Sequence, residues 1–289
     1  MSLLPQPWEA YFMTFFFVYF RVSVALFVMP ILSNNTVTGS IRAGLAFWIA
    51  IVLIGPLWGL HQVESGWIVP NVDRVFNGFL EFGIALIGEA SIGFILGFIG
   101  QMIIQTIAIS GEIIGKQAGF SAASVFDPIT GQDLFLMAQV NTLLGTMIFF
   151  AVGGPEHIIE YLAASFQLLK PGEGVSLMNY REMVSNVLLF DSVHNGDRMH
   201  ALGTMMYKVG LQIAAPIMVT MFLVSLAEAF IAKVSPQLNI LAVGFAIRIG
   251  ISLVVLFNSM GTSMLRFKYH VLSYKMYAEA ALSWLAPMP

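Results

Sequence analysis

Apolar residues run along this chain in blocks of about 20, the length that matches the hydrocarbon core of a bilayer, and polar clusters separate the blocks. The first runs from about Ala10 to Pro30 and is crowded with aromatics (Phe15, Phe16, Phe17, Tyr19, Phe20). Ser33-Asn34-Asn35 and the stretch Thr36 to Ser40 break it, and a second block follows from Ile41 to about Leu60, with Pro56 near its end. His61 to Asn77, holding Gly66, Pro70, Asp73 and Arg74, reads as a loop. From Gly78 to Gly119 the pattern is helical for about 40 residues without a proline, roughly 60 Å at the α-helical rise. That is twice the hydrocarbon thickness, so this stretch either breaks in two or stands largely outside the lipid.

A loop from Phe120 to Asp133 and a fourth block from Leu134 to Val152 come next, ended by Gly153-Gly154-Pro155. Glu156 to Leu169 is a shorter amphipathic piece, with Glu156 placed to favour a helix N-terminus. The most polar part follows: Lys170, Glu173, Arg181, Glu182, Asp191, Asp197, Arg198 and Lys208 fall between 170 and 208. It reads as a loop-like excursion facing water. The chain then forms an apolar hairpin, Ala201 to Lys233, a Ser235-Pro236 turn, and Leu238 to about Asn258, before a tail with Arg266, Lys268 and Lys275. Conventional counting gives six spans, and the positive-inside rule places the basic tail in the cytoplasm.

Composition agrees with the pattern. Of 289 residues, 58% are hydrophobic and 10% charged, with a mean hydropathy of +0.83, against about 25% charged in a soluble domain. This chain is an all-α, polytopic helical membrane-type protein. A net charge of −3 offers nothing to nucleic acid, and the absence of cysteine removes disulfides, zinc thiolates and a thiol nucleophile. Met1 to Trp8 has no basic n-region, so Glu9 to Pro30 reads as a retained helix rather than a signal peptide.

Glycine falls at helical spacing: Gly93 and Gly97 form one small-xxx-small pair, and Gly111, Gly115 and Gly119 form two in series. In an apolar helix this spacing admits another backbone at close range. Ionisable residues interrupt the same blocks, namely Arg21, Glu81, Glu89, Glu112, Lys116, Glu228 and Arg248. Each costs roughly 2.5–3.5 kcal/mol at a lipid-facing helix centre, so they face protein, water or headgroups. Glu112 and Lys116 stand in the favourable i,i+4 order. Assembly is the reading preferred here, with charges paired across subunit interfaces. The alternative is a secondary transporter of a small solute or ion with Glu112, Lys116, Glu228 and Arg248 lining its site. That reading predicts an internal repeat, and none is evident.

Catalytic chemistry finds no pattern to rest on. No serine or threonine comes with a base and an orienting acid, and there is neither a phosphate-binding loop nor an HExxH helix. His194, Asp197 and His200 are spaced for a metal but lack a fourth ligand. No enzyme, cofactor or metal is expected.

Two blocks make the chain recognisable. One is Gly111-Glu112-Ile113-Ile114-Gly115-Lys116-Gln117-Ala118-Gly119-Phe120, continuing Ser121-Ala122-Ala123-Ser124-Val125-Phe126-Asp127-Pro128; the other is Ala232-Lys233-Val234-Ser235-Pro236-Gln237-Leu238-Asn239, with Val243-Gly244-Phe245 after it. With Arg21, Pro30 and the overall length, these resemble the FliR family of the type III secretion export apparatus across essentially the whole chain. The resemblance implies an export gate built with FliP-like and FliQ-like subunits, one R-type, five P-type and four Q-type, near FlhB-like and FlhA-like proteins. It implies a P-like part over 1–200 and a Q-like hairpin with a basic tail over 201–289. Unfolded proteins would pass through the centre of a complex in the bacterial inner membrane, at the flagellar basal body. It further implies that a loop over 119–131 plugs the closed pore, with Phe120, Ser121, Ala122, Val125 and Phe126 in it, and that Pro236, Gln237 and Asn239 form the hairpin turn. The Asp127-Pro128 block and the long polar segment are closer to flagellar members than to injectisome ones.

Overall fold

The structure is a computed structural model that describes residues 7–29, 37–59, 79–119, 136–172, 181, 184–189, 192–194, 197–235 and 240–285. Eight α-helices carry these residues: α1 (Pro7–Val28), α2 (Gly39–Gly59), α3 (Phe79–Gln117), α4 (Leu136–Ala151), α5 (Gly154–Leu168), α6 (Leu202–Val234), α7 (Ile240–Leu272) and α8 (Tyr274–Leu285). The all-α reading holds. The chain sorts into two compact units, Met1–Gln101 with Pro155–Leu202 and Tyr274–Pro289, and Met102–Gly154 with Gly203–Ser273.

In the first unit α1 packs on α2. Aromatic residues do much of this work: Phe15 meets Phe47 edge-on at 5.5 Å, and Tyr19 meets the same ring at 6.3 Å. On the other side Phe17 and Ala85 are buried together, with Met13, Phe82 and Leu86 against them. The basic tail is helical, its last part forming α8. In α8, Tyr274, Tyr277, Ala278, Ala280, Ala281, Leu282 and Leu285 are buried. The Tyr274 hydroxyl donates to the Leu96 carbonyl at 3.1 Å, and that of Tyr277 to the His200 carbonyl at 3.1 Å. α8 thus groups with the first unit.

The polar excursion also holds more structure than a loop. A π-helical turn spans Val184–Leu189 and touches α8. Two short strands, β1 (Ser192–His194) and β2 (Asp197–Met199), pair antiparallel with Ser192 opposite Met199 and His194 opposite Asp197. The two residues between them are Asn195-Gly196, the dipeptide most favoured in two-residue hairpins, a signal that the sequence reading passed over.

The second unit is built from α4, α6, α7 and the rest of α3. Ile114 joins Ala214, Ile217 and Met221 in its core, with Ile251, Val255 and Leu256 packed against them. Gly145 faces Ile107, and Gly210 faces the Thr106 carbonyl, so close approach is possible because neither carries a Cβ. Pro216 lies inside α6 and leaves the Gln212 carbonyl without its helical donor. The Arg266 guanidinium supplies a substitute, donating to that oxygen at 2.6 Å.

Of the two readings open for the long third block, the break is excluded: α3 is continuous over 39 residues, roughly 58 Å. Among the described residues three stretches are long and apolar enough to cross a membrane, Leu80–Gln117, Leu202–Val234 and Val243–Leu285, or four if α4 and α5 count as one, and α1 and α2 contribute shorter apolar stretches, Phe12–Val28 and Gly39–Ile54. α7 continues to Leu272, well past the Asn258 limit read from hydropathy, because Gly261, Thr262 and Ser263 do not interrupt the helix.

Candidate functional site

Arg21 is the largest fully buried side chain of the described residues. It lies in mid-α1, where the backbone's own hydrogen bonds are satisfied, so its guanidinium must find partners on other elements. Nε donates to Glu89 Oε2 at 2.6 Å and Nη2 to Glu89 Oε1 at 3.1 Å, a bidentate pair reaching from α1 to α3. Both side chains are wholly buried. Nη1 donates to Ser165 Oγ at 3.0 Å, and Nη2 also to the Leu169 carbonyl at 3.1 Å. The Phe166 ring lies under the guanidinium at 4.1 Å.

The Arg21 cluster also ends α5. The last turn of that helix exposes carbonyl oxygens and carries partial negative charge, and the arginine is held against it. Ser165 relays the contact by donating to the Leu162 carbonyl at 2.6 Å while accepting from Arg21. Just beyond, Gly172 at φ 82° turns its N–H back onto Glu89 Oε1 at 2.9 Å. Thus α1, α3 and the end of α5 are locked by one arginine and one glutamate.

Glycine makes the approach possible. A Cβ on Gly93 would collide with the Arg21 carbonyl, and one on Gly97 would come within 2.6 Å of the Ala25 carbonyl. The pair predicted for close helix packing therefore seats α3 on the backbone of α1. Of the second glycine series, Gly111 is buried and Gly115 half-buried. Gly119 follows the end of α3 at φ 85°, with Phe245 and Arg248 beside it.

The second charge centre ties the α6–α7 hairpin. Arg248 Nε donates to Glu228 at 2.9 and 3.1 Å, and Nη2 to the same carboxylate and to Ser225 Oγ at 3.2 Å. Gly244 makes room, since a Cβ there would lie 3.0 Å from Glu228 Oε1. Glu112 and Lys116 do pair, at 2.6 Å, but with 41% and 62% of their side chains exposed. They are a surface pair and not a buried one. Glu81 stands exposed in the first turn of α3, where a helix favours negative charge.

These contacts revise the assembly reading in one respect: Arg21 and Glu228 find their counter-charges within this chain. In the sequence Glu89 is one embedded charge among seven, and no signal there joins it to Arg21 across 68 positions. The Glu228–Arg248 pair was legible, because two residues equidistant from a turn at 236–239 meet across an antiparallel hairpin. Phe120, Ser121, Ala122, Val125 and Phe126, and Pro236, Gln237 and Asn239, lie outside the described residues. No group of three or more histidine or acidic residues able to hold a metal occurs among the described residues.

What remains is apolar surface. On α6 Phe222, Leu223 and Phe230 are exposed, and on α7 Val254 and Phe257. On α2 Ile41, Leu45, Trp48 and Val52, at helical spacing along one face, are exposed as well. Monomeric soluble proteins rarely show so much contiguous apolar area, and surfaces of this kind meet membrane or protein.

The sequence matches the family described as bacterial export proteins, family 1, over residues 12–273. It is 27% identical over 253 residues to the flagellar biosynthetic protein FliR of Aquifex aeolicus, covering 87% of each chain. It is 25% identical over 245 residues to FliR of Bacillus subtilis, covering 85% of each. The surface presentation of antigens protein SpaR of Shigella sonnei is 25% identical over 240 residues, or 83% of this chain and 82% of its own.

Proposed function

This chain belongs to the bacterial export proteins, family 1, and on that premise we propose that it is the FliR-type subunit of a flagellar type III export gate. In this reading it assembles with FliP-like and FliQ-like subunits in the bacterial inner membrane, next to FlhB-like and FlhA-like proteins, and unfolded flagellar proteins pass through the complex. Residues 1–200 act as the P-like part and the α6–α7 hairpin as the Q-like part. The loop over 119–131 helps to plug the closed pore. The work is passage and gating, with no bond made or broken.

One observation carries the reading more than any other. The polar groups that a small-solute site would need are spent inside the chain, Arg21 on Glu89 and Arg248 on Glu228, while large apolar side chains stay uncovered on α2, α6 and α7. That is the surface of a subunit that completes itself by joining others. The relatives' names add direction: they include flagellar biosynthetic proteins and surface presentation proteins.

The test has two parts. Tagged chain purified from membranes should bring down two other small helical membrane proteins. In cells, Phe120→Ala combined with Phe126→Ala should raise the ion leak of the assembled complex. A leak unchanged from that of the parent complex would remove the plug assignment, and a chain that purifies alone as a stable monomer would remove the assembly itself.

A further inference from the structure

The charges of the α6–α7 hairpin fall at two levels, with an uncharged band between them. At one level Glu228 and Arg248 pair across the two helices. At the other, Arg266 donates to the Gln212 carbonyl. That contact brings Lys208, one turn before Gln212, to the level of Arg266 and Lys268. Between the levels, residues 209–227 of α6 and 249–265 of α7 carry no charge, roughly 28 Å and 26 Å of helix. The hydrocarbon core of a bilayer is about 30 Å thick. Each helix has 33 residues, roughly 50 Å, so its ends stand beyond such a core.

The two levels differ in sign. Glu228 is the single carboxylate on the two helices, and it is taken up by Arg248. At the opposite level Lys208, Arg266 and Lys268 are all cationic and all exposed, while His270 is buried beside Thr106. Tyr207 and Tyr269 stand at this same level, 58% and 65% exposed, with Leu211, Leu265 and Leu272 exposed near them. Tyrosine collects at the headgroup level of membranes. Lysine and arginine there lay their stems along apolar surface and reach outward with the charge. Lys268 is also in register with the band: Val254, Phe257, Gly261, Leu265 and Lys268 follow at steps of three and four, which puts them on one face of α7. Val254 and Phe257 are exposed on that face.

We propose that this face of the hairpin lies against lipid, with Val254 and Phe257 among acyl chains and with Lys268 and Arg266 on the phosphodiester headgroups of acidic phospholipids. Length and charge together select this occupant. A neighbouring subunit on the same face would have to supply acidic groups at one level and an apolar surface of matching height beside them. A bilayer containing acidic lipid has both by its construction, and its surface attracts each nearby lysine or arginine.

The experiment uses the assembled complex, reconstituted in vesicles of phosphatidylcholine and phosphatidylglycerol. Two probes are compared, a phosphatidylglycerol and a phosphatidylcholine that carry the same diazirine on the acyl carbons next to the glycerol ester. After irradiation, adducts are mapped by mass spectrometry. Residues 265–272 should take up the phosphatidylglycerol probe about 5-fold more than the phosphatidylcholine probe, the effect of one cation near a charged surface. Lys268→Gln should lower that preference about 2- to 5-fold, Lys268→Arg should keep it, and molar salt should erase it. Lys268 is exposed, so both variants should unfold at the temperature of the parent.

Equal labelling of 265–272 by the two probes would overturn the headgroup assignment, and so would a preference that Lys268→Gln leaves unchanged. No adduct of either probe between Val254 and Leu272 would overturn the whole placement, by showing that protein covers this face. Each of these results leaves the export reading intact.

Discussion

Removing the carboxylate of Glu89 strands a cation in the interior of the first unit. In Glu89→Leu, Arg21 loses both bonds of its bidentate pair, and the Gly172 N–H loses its acceptor. Breaking one side of a buried ion pair costs about 3–5 kcal/mol, and the orphaned N–H adds about 1 kcal/mol. Against this, the arginine keeps Ser165, the Leu169 carbonyl and the Phe166 ring, a cation–π contact contributing about 0.5–2 kcal/mol. Those contacts were present before the change, so they limit the damage without reversing it. A net loss of about 4 kcal/mol is expected, which lowers the unfolding temperature by roughly 8 °C or more at about 2–4 °C per kcal/mol. The assay is a fluorescence-detected thermal scan of the detergent-purified complex, run beside Arg21→Met and the double variant Arg21→Met with Glu89→Leu. Replacing both charges by apolar groups of similar size is often close to neutral. The double variant should therefore recover at least half of the loss, falling short only by the unpaired Leu169 carbonyl and Gly172 N–H. A double variant no better than the worse single one would refute the argument, because it would mean that the cost is lost packing and not a stranded charge. A loss under about 1 kcal/mol in Glu89→Leu would refute it equally, since it would mean that water or another acceptor reaches Arg21.

Two further outcomes can be checked by the same scan and by native gels of the assembled complex. Gly93→Ala should destabilise the chain by about 1–3 kcal/mol and reduce assembly, since its methyl would overlap the Arg21 carbonyl, whereas Gly83→Ala meets nothing within 4 Å and should stabilise by about 0.5–1 kcal/mol. Arg266→Met should cost about 1–3 kcal/mol by leaving the Gln212 carbonyl unpaired, yet much less in a Pro216→Ala background, where the helix recovers its own donor; equal costs in both backgrounds would show that Arg266 acts elsewhere.

Much of this molecule was readable one block at a time. The helices over 10–30, 41–60, 134–152 and 201–233 lie within a few residues of where hydropathy put them, because an apolar helix that meets membrane or protein all round needs no partner to declare itself. Gly93 and Gly97 were identified as packing sites for a comparable reason: their spacing is local, and only the absence of a side chain matters. The continuous course of α3 was not readable. A 39-residue helix and two shorter ones share the same pattern, and hydropathy does not record whether a helix is interrupted. The same blindness hid α8, whose alanines and tyrosines are unremarkable until Tyr274 and Tyr277 are seen donating to the Leu96 and His200 carbonyls.

By itself, then, the sequence determined class and local shape: a helical, apolar chain with a pair of long helices over 201–258 and glycines spaced for close helix packing. These depend on composition and on period, which are local properties. Only the tertiary structure decided what the embedded charges do. Arg21 could have met lipid headgroups, a neighbouring subunit or a solute, and each would have left the same residue at the same place in α1. It meets Glu89, Ser165 and the end of α5 because those groups, as far as 148 positions away, are carried to it by packing. Electrostatic pairing acts over a few ångströms of space and is indifferent to distance along the chain.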